Sequence, residues 1–134
     1  GVTTLLTGSP ADRSLCDQIL EQMTAPGANL AGKTNLNELA ALLSMTKLFI
    51  GGDTGPLHIA QASGTRVLAI FGPTDPGVLG PRSPEHETAY LNLDCSPCRH
   101  RVCPIGHPCM LDMSVEFMAA KAGRMLSERK TSYQ

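Results

Sequence analysis

The residues whose types and spacing suit chemistry gather in three places. The first is Gly51-Gly52-Asp53-Thr54-Gly55-Pro56-Leu57-His58, entered from the apolar Leu48-Phe49-Ile50. A short apolar run bounded by turn residues reads as a buried parallel strand. Gly51 and Gly52 are expected to allow positive φ and to let a ligand come close to the backbone. Asp53 or Thr54 is expected to cap a helix that has Pro56 in its first turn, where the missing N–H costs nothing. A helix start presents unpaired N–H groups and the positive end of the dipole, which suits a phosphate or carboxylate. His58 follows Thr54 by four residues, so both fall on one side of the first turns. The same residues also fit an ordinary strand–helix turn with an Asp cap, and His58 also fits a helix histidine satisfied locally; the local pattern leaves these open.

The second place is a pair of further turn-rich loops, Gly8-Ser9-Pro10 and Gly72-Pro73-Thr74-Asp75-Pro76-Gly77. The third is a cysteine segment. Cys95, Cys98, Cys103 and Cys109 have the spacing Cys-x2-Cys-x4-Cys-x5-Cys, with His100 and His107 between them. Four thiols so spaced fit a structural zinc site, a labile disulfide or free thiols, and the spacing is not the usual pair of Cys-x2-Cys knuckles. The fifth cysteine, Cys16, lies in a helical pattern. An odd count without a secretory signal fits a reducing compartment. Arg82, His86, Arg99, His100 and Arg101 are expected to add positive charge near the loops, either to hold an anionic acceptor or as a solvated surface.

These loops need strands and helices to position them. Residues 2–7 read as a strand and 11–23 as a helix with Leu15, Ile19, Leu20 and Met23 facing a core. A short edge strand fits 28–30. A helix follows over 36–45, with Leu36, Leu39, Ala40 and Leu43 inward. The helix from Pro56 is expected to end at Gly64 as a C-cap. Residues 66–71 form the next strand, 77–87 are irregular, 88–93 form a strand and 95–109 a loop. Ser114 caps a last helix with Val115, Phe117, Met118, Ala122 and Met125 or Leu126 available for packing. Residues 129–134 read as a polar tail. Strands alternating with helices of this length imply parallel βαβ units. Ligands then bind beyond the C-terminal ends of the strands, and the loops at 8–10, 51–58 and 72–77 are expected to share that edge.

Composition sets the class. The chain has 134 residues, 42% hydrophobic and 17% charged, which is one globular domain with its own core. A net charge of −1 without a basic stripe argues against nucleic acid as a partner. No apolar run approaches the roughly 20 residues of a membrane span. The chain opens at Gly1 directly into the apolar 2–6, which predicts a fragment lacking its N-terminal part.

Four stretches together resemble glycosyltransferase family 9, the heptosyltransferases that build the inner core of lipopolysaccharide. They are Gly-Asp-Thr-Gly-Pro-Leu-His-Ile-Ala at 52–60, Phe-Gly-Pro-Thr-Asp-Pro at 71–76, Gly-Ser-Pro-Ala-Asp at 8–12 and Gly-Lys-Thr-Asn-Leu-Asn-Glu-Leu-Ala at 32–40. The cysteine tail is similar to that of many members. The resemblance implies an α/β fold: a Rossmann-like parallel sheet with flanking helices, one half of a two-domain GT-B glycosyltransferase. Residues 1–128 would be the C-terminal nucleotide-sugar-binding domain, with the N-terminal acceptor domain absent. It implies ADP-heptose as donor, a lipopolysaccharide core acceptor bound through the missing domain, no cofactor and no catalytic metal. Asp53, Thr54 and Gly55 match the family's turn at the donor diphosphate and sugar, with Pro56 and His58 closing the motif. Gly8, Ser9 and Asp12 fall near the nucleotide ribose, and Lys33 and Thr34 on the loop beside the base. The general base and a phosphate-binding lysine lie outside this chain, so the fragment alone is expected to be inactive. The location implied is cytoplasmic, at the inner face of the bacterial inner membrane, with peripheral membrane association only for the full-length protein. Other classes that the residues leave open are an epimerase-like GT-B nucleotide-sugar enzyme and a non-catalytic or metal-binding interaction domain.

Overall fold

The computed structural model describes residues 1–128; the expected polar tail at 129–134 lies outside the described residues. The chain divides into two compact units, Gly1–Ala41 and Leu42–Gln134. In the first, β1 (Thr4–Leu6) pairs in parallel with β2 (Gly27–Asn29), Thr4 beside Gly27 and Leu6 beside Asn29. A 3-10 turn (Pro10–Asp12) leads into α1 (Arg13–Gln22) between the two strands. α1 turns Cys16, Leu20 and Met23 inward, whereas the expected core residues Leu15 and Ile19 are 58% and 40% exposed. Leu20 and Met23, just past the helix, are thus inward as expected, and Cys16 takes the place expected of Leu15 and Ile19, giving an i, i+4, i+7 stripe. Gly27 shows where it lands: a Cβ there would sit 2.6 Å from Leu20 Cδ2 and 3.2 Å from Met23 Cε. Asn29 braces the unit. Its amide donates to the Arg13 carbonyl at 2.9 Å and to Asp17 Oδ1 at 2.7 Å, and its Oδ1 accepts the Ala31 N–H at 2.9 Å.

α2 (Leu36–Ser44) runs across the boundary between the units. Its start is a reciprocal cap: Asn35 Oδ1 accepts the Glu38 N–H at 3.0 Å, and Glu38 Oε2 accepts the Asn35 N–H at 2.8 Å. Leu39 and Leu43 are buried as expected, but Leu36 is 72% exposed.

The second unit holds a three-stranded parallel sheet in the order β3 (Phe49–Gly52), β4 (Val67–Phe71), β5 (Glu87–Tyr90). Gly52 pairs with Ile70, and Phe71 with Tyr90. β4 is central, and Val67, Leu68, Ala69 and Phe71 have no exposed surface, which fits a strand covered on both faces. α3 (Gly55–Ala62) crosses from β3 to β4 and buries Leu57 and Ala60. It ends as expected at Gly64, with φ +73°. The Thr65 N–H reaches the Ala60 carbonyl and the Gly64 N–H the Gln61 carbonyl, both at 3.0 Å, which satisfies two end carbonyls of α3. Two short helices, α4 (Pro76–Leu79) and α5 (Pro108–Leu111), lie within segments expected to be irregular. The strand expected at 88–93 is shorter and begins at Glu87.

α6 (Val115–Ser127) starts at Ser114, whose Oγ accepts the Phe117 N–H at 3.1 Å. Met118, Ala122 and Met125 form its inward stripe against Leu68, Ala89, Leu48 and Ile70, while Val115 is 78% exposed. Polar contacts fix this packing. Buried Arg66, at the foot of β4, donates to the carbonyls of Met125 and Glu128. On β5, Glu87 accepts from Lys121 at 3.1 Å and from Arg124 at 2.6 Å. Burial alone would raise the Glu87 carboxyl, but these two cations hold it below its ordinary value.

His86 is not the exposed positive charge expected. Its side chain is 6% exposed, and its Nδ1 accepts the Val67 N–H at 3.3 Å. Burial lowers its pKa; nearby Glu85 works against this, and Arg66 adds to it. A depressed histidine stabilises the fold above its unfolded pKa and ceases to do so as pH falls through the folded one. Urea unfolding at about pH 7.5 and about pH 5.5 should show stability declining on acidification through the ordinary histidine range near 6.5. The decline should be smaller in His86→Gln, whose amide oxygen accepts the same N–H without titrating.

Candidate functional site

Parallel pairing of β3 with β4 puts the loops after them, 53–54 and 72–75, at one edge of the second unit's sheet. The loop at 8–10 belongs to the separate sheet of the first unit. In the 51–58 loop, Gly51 and Gly52 do not use the positive φ expected of them; they are the last two residues of β3. Gly51 is small because a Cβ there would lie 2.8 Å from the Phe49 ring. Gly52 leaves open space, its nearest neighbour being the Ile70 carbonyl at 3.9 Å. Gly55 opens α3, and a Cβ on it would meet nothing within 4 Å.

The N-cap of α3 is Thr54 rather than Asp53, in extended backbone, but no side chain caps the helix. The Thr54 hydroxyl instead points back to the Gly52 carbonyl at 3.5 Å. The helix start is thus bare of side chains that would satisfy its N–H groups. Asp53, 15% exposed, has its carboxylate 3.8 Å from His58 Nε2, whose side chain is 57% exposed. The structure therefore brings Asp53, Thr54, Gly55, Pro56 and His58 together around one helix start.

Beside it, Asp75 Oδ1 accepts the Gly77 N–H at 2.8 Å and caps α4. The cysteine segment is fastened to this same loop. Ser96 Oγ donates to the Gly72 carbonyl, and the Cys98 and Arg99 N–H groups both donate to the Pro73 carbonyl, at 3.0 and 2.8 Å. Gly72 is pressed from the other side: a Cβ on it would lie 2.5 Å from Met110 Sδ and 3.2 Å from Cys109 Sγ. Ser96 is thus a positioning residue that sequence reasoning missed. Its only signal was a serine inside the Cys-x-x-Cys pair.

All five cysteines are free thiols. Among the described residues no three Cys, His, Asp or Glu side chains stand in a metal-ready shell. The thiols nevertheless differ. N–H groups of Ile105, His107 and Gly106 lower the Cys103 pKa, the His107 donor standing at 3.2 Å. Burial raises that of Cys109, with Cys95, Cys103 and Cys98 adding to the effect.

In the first unit, the loops holding Gly8, Ser9 and Asp12 and holding Lys33 and Thr34 meet. The Gly32 N–H donates to the Gly8 carbonyl at 2.8 Å, and Gly32, at φ +69°, is packed against Pro10. Asp12 is engaged locally. Its Oδ2 accepts from the hydroxyl and from the N–H of Ser9, both at 2.7 Å, and these bonds lower its pKa.

The model of "Glycosyltransferase family 9 (heptosyltransferase)" matches residues 1–108. The chain belongs to glycosyltransferase family 9. It is 33% identical over 121 residues to lipooligosaccharide heptosyltransferase 2 of Campylobacter jejuni, covering 87% of this chain and 38% of that one. It is 47% identical over 73 residues to lipopolysaccharide heptosyltransferase 3 of Escherichia coli, covering 53% of this chain and 21% of that one. Among solved structures, the fold matches E. coli ADP-heptose lps heptosyltransferase II with TM-score 0.76 at 24% identity, over 94% of this chain and 37% of that one. A family 9 glycosyl transferase from Veillonella parvula matches with TM-score 0.62 at 30% identity, over 66% of this chain and 26% of that one. The chain thus spans well under half the length of the relatives it matches. Among the described residues no helix is long and apolar enough to cross a membrane.

The fastening of the cysteine segment to the 72–77 loop has a direct test. Gly72→Ala forces a methyl group against Met110 and Cys109, and overpacking of this kind costs about 1–3 kcal/mol. Urea unfolding should show that loss, with Gly55→Ala as the unaffected comparison.

Proposed function

We propose that this chain is the donor-binding half of a longer heptosyltransferase, a two-domain GT-B enzyme of lipopolysaccharide core assembly with ADP-heptose as donor. The observation that carries the reading is the start of α3 without a side-chain cap, with Gly52 and Gly55 leaving room for a ligand and Asp53 and His58 flanking it. Glycosyl transfer from a diphosphate donor needs a deprotonated acceptor hydroxyl and a stabilised leaving diphosphate. The Gly55 N–H, the positive end of the α3 dipole and the Thr54 hydroxyl would hold the diphosphate. Asp53 is a poor phosphate ligand because like charges repel, so its partners would be the hydroxyls of the sugar. His58, when protonated, would donate to phosphate or neutralise Asp53. Pro56 holds the first turn without competing for an acceptor.

By the family resemblance, Gly8, Ser9 and Asp12 would lie toward the ribose, and Lys33 and Thr34 beside the base. The acceptor and the general base are assigned to the N-terminal half of the longer protein, with residues 1–128 as the donor domain. Such an enzyme would work in the cytoplasm, at the inner face of the inner membrane where its acceptor is held. The epimerase-like alternative is disfavoured by Phe71-Gly72-Pro73-Thr74-Asp75-Pro76, the second match to this family.

Calorimetry on the longer protein with ADP, UDP and ADP-heptose tests this. ADP should bind and UDP should not, and equal binding of UDP, or no binding of either, rejects the donor assignment. Asp53→Asn should weaken ADP-heptose by about 10- to 100-fold, the value of one or two hydrogen bonds to a charged group, and leave ADP nearly unchanged. Gly55→Ala should weaken both nucleotides without altering the unfolding midpoint, because its methyl group enters the space left for phosphate.

A further inference from the structure

The loop after β4, residues 72–75, is held at both ends. The buried Ser96 hydroxyl donates to the Gly72 carbonyl, and the Cys98 and Arg99 N–H groups converge on the Pro73 carbonyl at 3.0 and 2.8 Å. Two consecutive N–H groups reach one acceptor where the chain turns sharply, with Arg99 in the left-handed region at φ 58°. That conformation costs energy in a residue other than glycine and persists where its surroundings require it. At the other end, the Asp75 carbonyl accepts the Val78 and Leu79 N–H groups at 3.2 and 3.0 Å, and Asp75 Oδ1 accepts the Gly77 N–H at 2.8 Å. The segment that grips the loop has little core of its own: Val102, Ile105 and Leu111 are 80%, 62% and 77% exposed.

Thr74 sits between the two fastened ends. It is half-buried, and among the described residues its hydroxyl has no hydrogen-bond partner. A loop pinned at residues 72, 73 and 75 leaves the residue between them little freedom, so this hydroxyl is preorganised for a partner outside the fold. The strand register places it. Gly52 pairs with Ile70, so the turn at 53–54 and the loop at 72–75 leave one edge from adjacent strands. A Cβ on Gly52 would meet only the Ile70 carbonyl, at 3.9 Å, so the space over these strand ends is open. Charge then selects what part of a ligand fits there. Asp53 stands on one loop and Asp75 on the other, and Pro73 has no N–H to offer an anion. Two carboxylates repel a phosphate, whereas an uncharged polyol gives and accepts hydrogen bonds with a hydroxyl.

We propose that Thr74 is a further donor-binding residue, its hydroxyl bonded to a hydroxyl of the donor sugar, and that Ser96 is its positioning residue, acting through the Gly72 carbonyl. This rests on the reading of the α3 start as the donor site.

Calorimetry on the longer protein with ADP and ADP-heptose tests both residues. Thr74→Val removes the hydroxyl and keeps the branched side chain. It should weaken ADP-heptose by about 3- to 10-fold, the value of one neutral hydrogen bond, and leave ADP and the urea midpoint unchanged. Ser96→Ala should weaken ADP-heptose by a similar factor, and should add no further loss in the Thr74→Val background, because its effect passes through Thr74. A serine that only supported the fold would act equally in both backgrounds and on ADP as well. Where Ser96→Ala does not fold, Ser96→Cys, close in size with a weak donor, completes the same cycle. Full ADP-heptose affinity in Thr74→Val, an equal loss of ADP, or additive losses in the double variant each overturns the proposal and leaves the donor site standing. Failure of the unaltered protein to bind ADP-heptose overturns both.

Discussion

The burial of β4 is the constraint on which the second unit depends. A strand with parallel neighbours on both sides cannot be reached by a tight hairpin, so every connection to it must cross over one face. Its apolar run has no polar face to leave in water, and α6 supplies cover through Met118, Ala122 and Met125, while α3 buries Leu57 and Ala60 beside it. Parallel pairing then sends all strand ends the same way. That is why Gly52, at the end of β3, and Gly72, just past the end of β4, come to lie at one edge. The site is a consequence of how an apolar strand must be buried.

The same logic explains why polar groups gather at the other end. Arg66 enters β4 with its guanidinium buried, which is tolerable only because carbonyls at the end of α6 accept from it. Those carbonyls lie at the negative end of the helix dipole, where a cation is favoured. Glu87 ties the outer strand to the same helix through Lys121 and Arg124. Charged residues therefore fasten the base of the sheet, and the functional edge is left to backbone, glycine and a few polar side chains.

Much of this was legible. The apolar run at 67–70, Gly64 after α3 and Ser114 before α6 each carry a single local meaning, and the structure uses each as read. The errors share a cause. Leu15 and Ile19 have the right period but the wrong phase; Cys16, a small apolar residue, sets the phase and is easily passed over. Gly51 and Gly52 looked like residues chosen for backbone freedom, yet one is chosen by the Phe49 ring and the other by open space. His86 looked like surface charge because its partner, the Val67 N–H, is 19 residues away in the sequence. Local pattern specifies caps and strands well, whereas the reason for a small or polar residue often lies in a distant neighbour.

The candidate site divides its polar groups by sign. A helix start favours an anion, so a carboxylate set close by weakens that preference unless it has another task. Asp53 does not cap the helix: Thr54 holds the cap position, and neither side chain satisfies the first N–H groups. An ordinary strand–helix turn would use the acid there, since a cap contributes about 1 kcal/mol. Forgoing a side-chain cap while keeping an acid within 3.8 Å of His58 gives up that stability. Such a departure from the best local choice is expected where function competes with folding. In the proposed reading the helix start is kept for the diphosphate and the acid for sugar hydroxyls. A ligand carrying both groups then meets a favourable partner at each end, and a bare phosphate meets only one.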